Sequence, residues 1–249
     1  MRVLGVIPAR LGSTRLPHKP LQLLAGEPLI TRVVERVLEH DLLAELVVAT
    51  DSARIAEVVN RSRARVVMTD SSHQSGTDRV AEVAARKEFA DFDLVVNIQG
   101  DEPFLSREAL AGSIARVESG DEIGTAAAPL DPELASDPGR VKVVFDAEGR
   151  ALYFSRAMIP YRRDTGCPAA TLYWQHVGIY AYSRTAIARW SELQRSPAEQ
   201  AEQLEQLRAL HHGLRIGVTQ LKHPVPPGVD TLEDLRRAEA NWHAYQGQV

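Results

Sequence analysis

The sequence predicts an α/β fold built on a doubly wound, mostly parallel sheet. Three observations support this prediction. Short continuous apolar runs, typical of buried parallel strands, recur through the first half of the chain. Segments whose apolar residues repeat with helical spacing separate these runs. Loops containing glycine and proline follow several of them. Strands alternating with helices in this way favour right-handed crossovers and a doubly wound sheet.

The elements of the first half follow in order. The first strand is predicted at residues 3–7, and three further strands are predicted at 46–50, 66–68 and 94–98. Helices are predicted at 28–40 and 76–90, where valine and leucine side chains form one apolar stripe.

The pattern changes after about residue 129. A β-hairpin is predicted at 141–154 with its turn near Glu148-Gly149, and another strand at 176–182, with a loop or lid at 161–171 between them. We interpret residues 1–249 as one domain with an inserted β subregion at about 140–183. Ser196 and Glu199 form a capping-box pattern for a helix ending near Gly213, and Thr231 is expected to cap the final helix.

Composition limits the possible functions. Hydrophobic residues make up 44% of the chain and charged residues 25%, as in soluble globular proteins. The net charge of −4 argues against non-specific binding to nucleic acid. No apolar run approaches the roughly 20 residues that a membrane span needs. A single cysteine, Cys167, provides neither a disulfide framework nor a thiolate zinc site. With no signal-peptide pattern at the N-terminus, we expect a cytoplasmic protein.

The loop after the first strand is a candidate phosphate site. It carries Arg10, Ser13, Arg15 and Lys19 around Gly12. Nucleotides commonly bind at loops that leave the carboxyl ends of such strands. Clustered cations with a glycine suit a polyphosphate, although a solvated basic loop has the same composition. The loop lacks G-x-G-x-x-G spacing, which argues against a dinucleotide-dependent dehydrogenase.

Carboxylates form a second candidate site. Asp101 and Glu102 follow the strand at 94–98, the most buried-looking one, where a carboxylate can hold Mg²⁺ together with substrate phosphates. Asp230 follows a loop rich in proline and glycine, and it can join Asp101 on one metal if that loop folds back. The alternatives are an acidic turn at residues 101–102 and support of a helix start by Asp230.

Other polar residues are less specific. The segment HQSGTDR, residues 73–79, lies at a predicted helix start, where free N–H groups suit anions. Capping by Ser75 or Thr77 alone is the alternative. Five polar residues lie within or beside apolar patterns, where structural or surface roles are the ordinary expectation: Arg156, His176, Tyr180, Glu205 and Gln206.

Nine segments in order resemble one known family, the 3-deoxy-manno-octulosonate cytidylyltransferases or CMP-Kdo synthetases. The resemblance extends over residues 3–238. The segments are IPARLGSTRLPHKPL, VATD, HQSGTDR, VVNIQGDEP, VKVV, ALYFSRAMIP, HVGIYAY, LEQLR and GVDTLEDL. The resemblance implies a nucleotide-diphospho-sugar transferase-like fold. It also implies transfer of CMP from CTP to the sugar acid Kdo for lipopolysaccharide biosynthesis, with release of pyrophosphate.

The resemblance also assigns residues. Catalytic roles fall on Arg10, Lys19 and Asp101, and Mg²⁺ on Asp101 and Asp230. The implied nucleotide contacts are Pro8, Ala9, Arg10, Ser13, Arg15, Lys19, Ser75 and Asp101. The implied sugar contacts are Arg15, Gln99, Arg156, His176, Tyr180, Glu205 and Gln206. A homodimer formed through the β subregion is implied as well.

The implied reaction is an in-line attack by the sugar's anomeric hydroxyl on the α-phosphorus of CTP. Such a transfer needs mainly positioning and charge neutralisation. Arg10 and Lys19 are expected to stabilise the departing pyrophosphate, and His176 to position the sugar. Two alternatives stay open: a cytidylyltransferase for another acid sugar, such as 8-amino-Kdo or a sialic acid, and a non-catalytic nucleotide-binding protein.

Overall fold

The computed structural model describes residues 1–13, 15–73, 75–164, 172–190 and 192–247. The chain forms two compact units, Met1–Arg107 with Val225–Val249, and Glu108–Pro224. Cys167 and most of the predicted loop at 161–171 lie outside the described residues, as does Gln74 of the HQSGTDR segment. The interpretation as a single domain with an insertion stays a prediction.

Strands and helices alternate along the first part of the chain. Its elements are β1 (Val3–Ala9), β2 (Leu23–Leu24), β3 (Glu27–Pro28), α1 (Leu29–Glu39), β4 (Glu45–Thr50), α2 (Ala53–Val59), β5 (Arg65–Met68), α3 (Gly76–Ala85) and β6 (Leu94–Ile98). Short 3-10 helices occur at Lys19–Leu21 and Lys87–Phe89.

The remainder of the chain is richer in antiparallel pairs. Its elements are α4 (Arg107–Glu118), β7 (Ile123–Pro129), β8 (Lys142–Phe145), β9 (Ala151–Ser155), β10 (Trp174–Ser183), α5 (Arg184–Trp190), α6 (Pro197–Glu202), α7 (Gln206–His211), β11 (Ile216–Gln220), α8 (Leu232–Ala240) and α9 (Trp242–Gln246). A 3-10 helix occurs at Pro132–Leu134.

The first unit contains four parallel strands in the order β6-β1-β4-β5. Val6 of β1 lies opposite Val47 of β4 and Asn97 of β6. Every residue of β6 is buried, as expected for a parallel strand covered on both faces. The predicted α/β class with mostly parallel pairing is confirmed. Because parallel strands end at one edge, the loops that follow β1 and β6 leave the sheet together.

The second unit is built around β7. This strand pairs in parallel with β11 and antiparallel with β10, and β8 pairs with both β10 and β9. The predicted hairpin is confirmed, because β8 and β9 are antiparallel and Gly149 adopts a positive φ of 74° at the turn. The strand predicted at 176–182 lies within β10. Strands β8, β9 and β10 all fall inside the predicted subregion at 140–183.

Two helices differ from their predictions: one is shorter than expected, and the other is divided in two. The helix predicted to extend to residue 90 ends at Ala85, because the next residue, Arg86, is extended with φ −71° and ψ 139°. The helix predicted from Ser196 to Gly213 divides into α6 and α7 at Gln203, which has a φ of 53°. Here the carbonyl of Glu202 accepts a hydrogen bond from Nε of Arg156 at 2.7 Å, and this tertiary contact favours the break.

The residues predicted to cap helices do so in the structure. Ser196 and Ser75 accept hydrogen bonds from backbone N–H groups at the starts of α6 and α3. Thr231 and Asp234 form a complete capping box at the start of α8, which is followed by the short α9. Among the described residues, no helix is both long and apolar enough to cross a bilayer.

Candidate functional site

Four charged side chains of the first unit meet at one point, which we name the charged cluster: Arg15, Lys19, Asp101 and Asp230. Nζ of Lys19 lies 2.5 Å from Oδ2 of Asp101 and 3.0 Å from Oδ1 of Asp230. Nη2 of Arg15 lies 3.0 Å from the same Asp230 oxygen. The structure therefore brings together two carboxylates that are 129 positions apart in the sequence, with one ammonium group bonded to both.

An apolar core positions the charged cluster. Leu16, Phe104 and Val229 are buried in one hydrophobic group together with Leu24 and Leu29. Each of the first three lies within three residues of a charged member, since Leu16 follows Arg15, Phe104 follows Asp101 and Val229 precedes Asp230. Burial of these side chains thus fixes three separate loops, and the charges are carried along with them.

Close backbone contacts complete the arrangement. The N–H of Val229 donates to the carbonyl of Asp101 at 2.8 Å, so the proline- and glycine-rich loop does fold back over the loop that follows β6. A Cβ on Gly228 would lie 3.2 Å from the carbonyl of Asp101, and one on Gly100 would lie 3.3 Å from the carbonyl of Pro8. Both contacts are tight, which explains glycine at these two positions.

The carboxylates of the charged cluster have opposite pKa shifts. Burial raises the pKa of Asp101, and the negative charge of Asp230 adds to the rise against the opposing effect of Lys19. Burial alone would also raise the pKa of Asp230, but Lys19 and Arg15 lie beside it and hold that pKa below its usual value. Burial disfavours the Lys19 ammonium, yet the two carboxylates raise its pKa overall.

Glu102 adds a further carboxyl group beside the cluster. Burial, together with the charges of Asp101 and Asp230, raises its pKa to about 8. The neighbourhood therefore holds three carboxyl groups, Asp101, Glu102 and Asp230, beside the Lys19 ammonium and the Arg15 guanidinium. Carboxyl oxygens gathered in this way suit a hard divalent cation.

The remaining predicted nucleotide residues lie near the same edge of the first unit. Pro8 and Ala9 end β1, and Arg10 is exposed directly after it. The Ser13 hydroxyl accepts a hydrogen bond from the N–H of Leu16 at 3.3 Å. Ser75 is buried and accepts from the N–H of Asp78 at 3.1 Å, so it caps α3 as the alternative interpretation expected. The nucleotide role of these residues stays a prediction.

Gln99 follows β6 and is the one predicted sugar residue beside Asn97. Its Nε2 lies 3.5 Å from Oδ1 of Asn97, and Nδ2 of Asn97 lies 3.4 Å from Oγ1 of Thr77. Asn97 is fully buried. The side chains of Gln99, Asn97 and Thr77 thus form a chain of polar contacts from the end of β6 to the first turn of α3.

A different group of side chains occupies the second unit, and we name it the neutral cluster: Thr125, His176 and Tyr180. The ring centroids of His176 and Tyr180 are 5.2 Å apart, and Nε2 of His176 lies 3.0 Å from Oγ1 of Thr125. Burial lowers the pKa of His176 to about 3. Burial, with the nearby Tyr182 and Glu205, raises the pKa of Tyr180 well above its usual value. Both rings are therefore uncharged at neutral pH.

Arg156 is held by backbone groups. Its guanidinium donates to the carbonyls of Glu202 at 2.7 Å, Pro138 at 3.0 Å and Gln203 at 3.5 Å. The Glu202 carboxylate instead accepts from the Ser155 hydroxyl and from the N–H of Arg156. Within the described part of the chain, no carboxylate lies at ion-pair distance from this guanidinium, so its positive charge is oriented but not neutralised.

The last two predicted sugar residues lie at the start of α7. Glu205 precedes the helix and is half-buried, whereas Gln206, its first residue, is buried rather than on the surface. Sequence reasoning missed Thr125 and Glu202. A hydroxyl in the otherwise apolar strand IGTAAAP could have indicated Thr125, whereas no local pattern distinguishes Glu202 from other surface glutamates.

The structure thus brings together Lys19, Asp101, Asp230 and Arg15 in one unit, and His176 and Tyr180 near Glu205 in the other. Across the described ranges, no group of three or more His, Cys, Asp or Glu side chains has the geometry of a metal site. Two carboxylates are nevertheless sufficient for Mg²⁺, which usually takes its other ligands from water and substrate phosphates.

Comparison with known proteins identifies the family of the chain. The cytidylyltransferase family model matches residues 4–216. The 3-deoxy-manno-octulosonate cytidylyltransferase of Gemmatimonas aurantiaca is 53% identical over 97% of this chain and 95% of its own length. The enzyme of the same name from Methylococcus capsulatus is 50% identical over 94% of each chain.

A solved structure extends the comparison to three dimensions. CMP:2-keto-3-deoxy-manno-octonic acid synthetase, solved in complex with CTP, superposes with a TM-score of 0.89 at 38% identity, covering 98% of this chain and 99% of that one. The family match and the relatives each cover most of the chain. The chain therefore belongs to the cytidylyltransferase family and, within it, to the 3-deoxy-manno-octulosonate cytidylyltransferases.

Proposed function

We propose that this protein transfers CMP from CTP to 3-deoxy-D-manno-octulosonate (Kdo), forming CMP-Kdo and pyrophosphate for lipopolysaccharide biosynthesis. The observation that carries the proposal is the charged cluster, in which Lys19 contacts both Asp101 and Asp230. Two carboxylates held around one cation at the end of a buried strand suit a magnesium ion and the phosphates of a nucleotide. The relatives that carry the name of this activity support the choice of CTP and Kdo.

The first unit supplies groups suited to a triphosphate. Arg10 and Arg15 are exposed, and Lys19 is held at the charged cluster with 17% of its side chain accessible. Cations held in place before the reaction stabilise charge that develops on a departing pyrophosphate. We assign that task to Arg10 and Lys19, and contact with the nucleotide to Pro8, Ala9, Ser13, Arg15, Ser75 and Asp101 as well.

The residues at the charged cluster fit Mg²⁺. Their oxygen ligands suit a hard cation, and the Lys19 ammonium already lies at bonding distance from both carboxylates. Asp101 and Asp230 would hold the ion, which when bound supplies positive charge beside the nucleotide phosphates.

The second unit supplies groups suited to a sugar acid. Arg156 presents an oriented positive charge that no described carboxylate neutralises, so it suits the carboxylate of the sugar. His176, Tyr180, Glu205 and Gln206 offer polar groups for sugar hydroxyls. We also propose sugar contacts for Gln99 and Arg15 of the first unit. His176 is neutral and acts in positioning rather than in proton abstraction.

The proposal is tested by substrate panels with pyrophosphate release as the readout. CTP, UTP, ATP and GTP are each supplied with Kdo, and CTP is supplied with Kdo, 8-amino-Kdo and a sialic acid. We expect pyrophosphate and CMP-Kdo from CTP with Kdo, at a rate well above every other pair. Turnover with another acid but none with Kdo would replace the sugar assignment. Binding of CTP without turnover of any acid would favour the non-catalytic alternative.

Magnesium binding is tested without activity. Thermal unfolding is followed as Mg²⁺ is added, alone and with CTP, to the wild type, Asp230→Asn and Asp91→Asn. Asp91 is an exposed aspartate of the first unit and serves as the matched control. Because a ligand that binds only the folded state raises the unfolding temperature, the wild type and Asp91→Asn should be stabilised and Asp230→Asn should respond less. Equal responses in all three would remove Asp230 from the metal site.

The homodimer and the cytoplasmic location also belong to the proposal. In the second unit, Leu152 and Tyr153 of β9, with Met158 and Tyr161 after it, are large exposed apolar residues inside the 140–183 subregion. Such a group on one strand and its following loop favours burial in an interface. The presence of one cysteine in the whole chain suits a reducing compartment.

Light scattering tests the dimer. We expect a dimer for the wild type and a monomer for Leu152→Asp. Leu134→Asp is the control, because Leu134 is an exposed leucine outside the subregion. A monomeric wild type at working concentration would contradict the proposal.

A further inference from the structure

Strand β10 is irregular between the two rings of the neutral cluster. Val177 lies opposite Ala126 of β7, and Ala181 lies opposite Gly124, so three residues of β10 face the single residue Thr125. This arrangement is a β-bulge. Bulges bend a strand and redirect its side chains, and they are frequent beside active sites.

The bulge explains a contact that a regular strand would not allow. Residues i and i+4 of a strand are separated by about 13 Å along its axis. The ring centroids of His176 and Tyr180 are nevertheless only 5.2 Å apart. Compression of the strand at the bulge therefore assembles the pair, and the bulge depends on the one residue that faces it.

The Thr125 hydroxyl bonds to both the bulge and the histidine. Its Oγ1 lies 2.7 Å from the carbonyl oxygen of Ile179, inside the bulge, and 3.0 Å from Nε2 of His176. Carbonyl oxygens can only accept, and the Ile179 oxygen at 2.7 Å is much closer to the hydroxyl than the Val177 oxygen at 3.4 Å, so the single hydroxyl proton of Thr125 points to Ile179. The threonine oxygen is then left as an acceptor, and Nε2 of His176 must carry a proton that it donates to Thr125.

We infer that Thr125 is a positioning residue that fixes His176 as the Nε2-protonated neutral tautomer, so that Nδ1 presents a lone pair to a hydroxyl group of the sugar acid. Burial of the ring, which lowers the pKa of His176, agrees with a neutral imidazole. A neutral ring that accepts a hydrogen bond recognises a hydroxyl and gives no attraction to a carboxylate. The sugar half of this inference rests on the proposed function, whereas the tautomer half does not.

The tautomer is tested by nitrogen NMR on the uniformly ¹⁵N-labelled full chain. The chain has eight histidines, so the His176 signals are assigned by their loss in His176→Gln. We expect the coupling pattern of a neutral ring protonated at Nε2 at pH 7. A ring protonated at Nδ1, or an imidazolium, would overturn the inference.

Substitutions of Thr125 test its role in the tautomer. Thr125→Ser keeps the hydroxyl and should keep the wild-type His176 pattern, whereas the isosteric Thr125→Val should give a mixture of tautomers. Thr185→Val, at an exposed position of α5, is the matched control. A wild-type pattern in Thr125→Val would overturn the positioning role. If Thr125→Val does not fold, the wild-type and Thr125→Ser spectra still decide the tautomer.

Steady-state kinetics test the sugar half. Loss of one oriented hydrogen bond corresponds to about a tenfold change in binding. Thr125→Val should therefore raise the KM for the sugar acid about tenfold and leave the KM for CTP within about twofold, with Thr125→Ser close to the wild type. An unchanged KM for the sugar acid, or equal rises in both KM values, would overturn the sugar half of the inference. Absence of turnover with every sugar acid would instead remove the proposed function, and with it the sugar half, while the NMR result stands.

Discussion

The charged cluster and the neutral cluster use opposite electrostatics. In the first, Lys19 lies at ion-pair distance from both Asp101 and Asp230, and the pKa values of the two aspartates move in opposite directions. In the second, burial moves the pKa of His176 down and that of Tyr180 up, so that both rings stay neutral. The first arrangement suits phosphates and a metal ion, whereas the second suits the hydroxyl groups of a sugar. If the proposed site residues are right, the nucleotide and the sugar acid are recognised by different electrostatics.

The largest expected effect comes from removing one charge of the charged cluster. Asp101→Asn should lower turnover by about 10³-fold, because stabilisation of developing charge in a partly desolvated site is lost. Folding should be spared, since the amide is isosteric with the carboxylate. Pyrophosphate release and thermal unfolding measure the two effects, with Asp91→Asn as the control. Unaltered turnover would exclude Asp101 from the chemistry.

The second prediction compares the two cations of the charged cluster. Lys19→Met should lower the free energy of unfolding by about 2 kcal/mol in metal-free buffer, because it leaves the mostly buried Asp101 carboxylate without its ion-pair partner. Arg15→Ala should lower it by less than about 1 kcal/mol, since 63% of the Arg15 side chain is exposed and its ion pair is screened. Denaturant unfolding measures both values. Equal losses would mean that Lys19 is not the central ion of the cluster.

The third prediction concerns pH and the neutral cluster. Because the pKa of His176 is about 3 in the folded chain and about 6.5 when unfolded, the unfolded state binds more protons as pH falls. The contribution of His176 to stability is therefore fully present above pH 6.5. As the pH falls from 7 to 5, this contribution to the free energy of unfolding decreases by about 2 kcal/mol.

The His176 contribution is isolated by substitution. The free energy of unfolding of His176→Gln should depend less steeply on pH than that of the wild type over this window. His243→Gln, at an exposed position of α9, should keep the wild-type slope. Identical slopes in all three proteins would show that His176 is not held neutral.

The smallest expected effect is spectroscopic. Because burial raises the pKa of Tyr180 well above its usual value, ultraviolet titration should count the same number of ionising tyrosines below about pH 10.5 in the wild type and in Tyr180→Phe. The chain has six tyrosines. One fewer ionising group in the variant would mean that Tyr180 is exposed to solvent, and the description of its cluster as desolvated would be wrong.

Much of the fold and the charged cluster could be predicted from the sequence. The apolar runs predicted the four parallel strands of the first unit, because burial on both faces leaves a continuous hydrophobic signature. The expectation that Asp230 would approach Asp101 needed only a loop that folds back, and the structure confirms the approach. That Lys19 would lie between them was not predicted. His18 before it adopts a φ of 53° with no glycine to indicate such a turn.

The neutral cluster could not be predicted to the same depth. Its rings come together through a β-bulge, and a bulge is set by pairing with another strand rather than by the local pattern. The break at Gln203 has the same origin, because the contact between Glu202 and Arg156 joins residues 46 positions apart. Long-range contacts of this kind leave no periodic signal in the sequence.

The division between the two clusters is tested most directly by the KM values of His176→Gln for both substrates. If the neutral cluster binds the sugar acid and the charged cluster the nucleotide, the KM for Kdo should rise about tenfold or more while the KM for CTP stays within about twofold. A KM for CTP that rises as much as the KM for Kdo, or a wild-type KM for Kdo, would contradict the account.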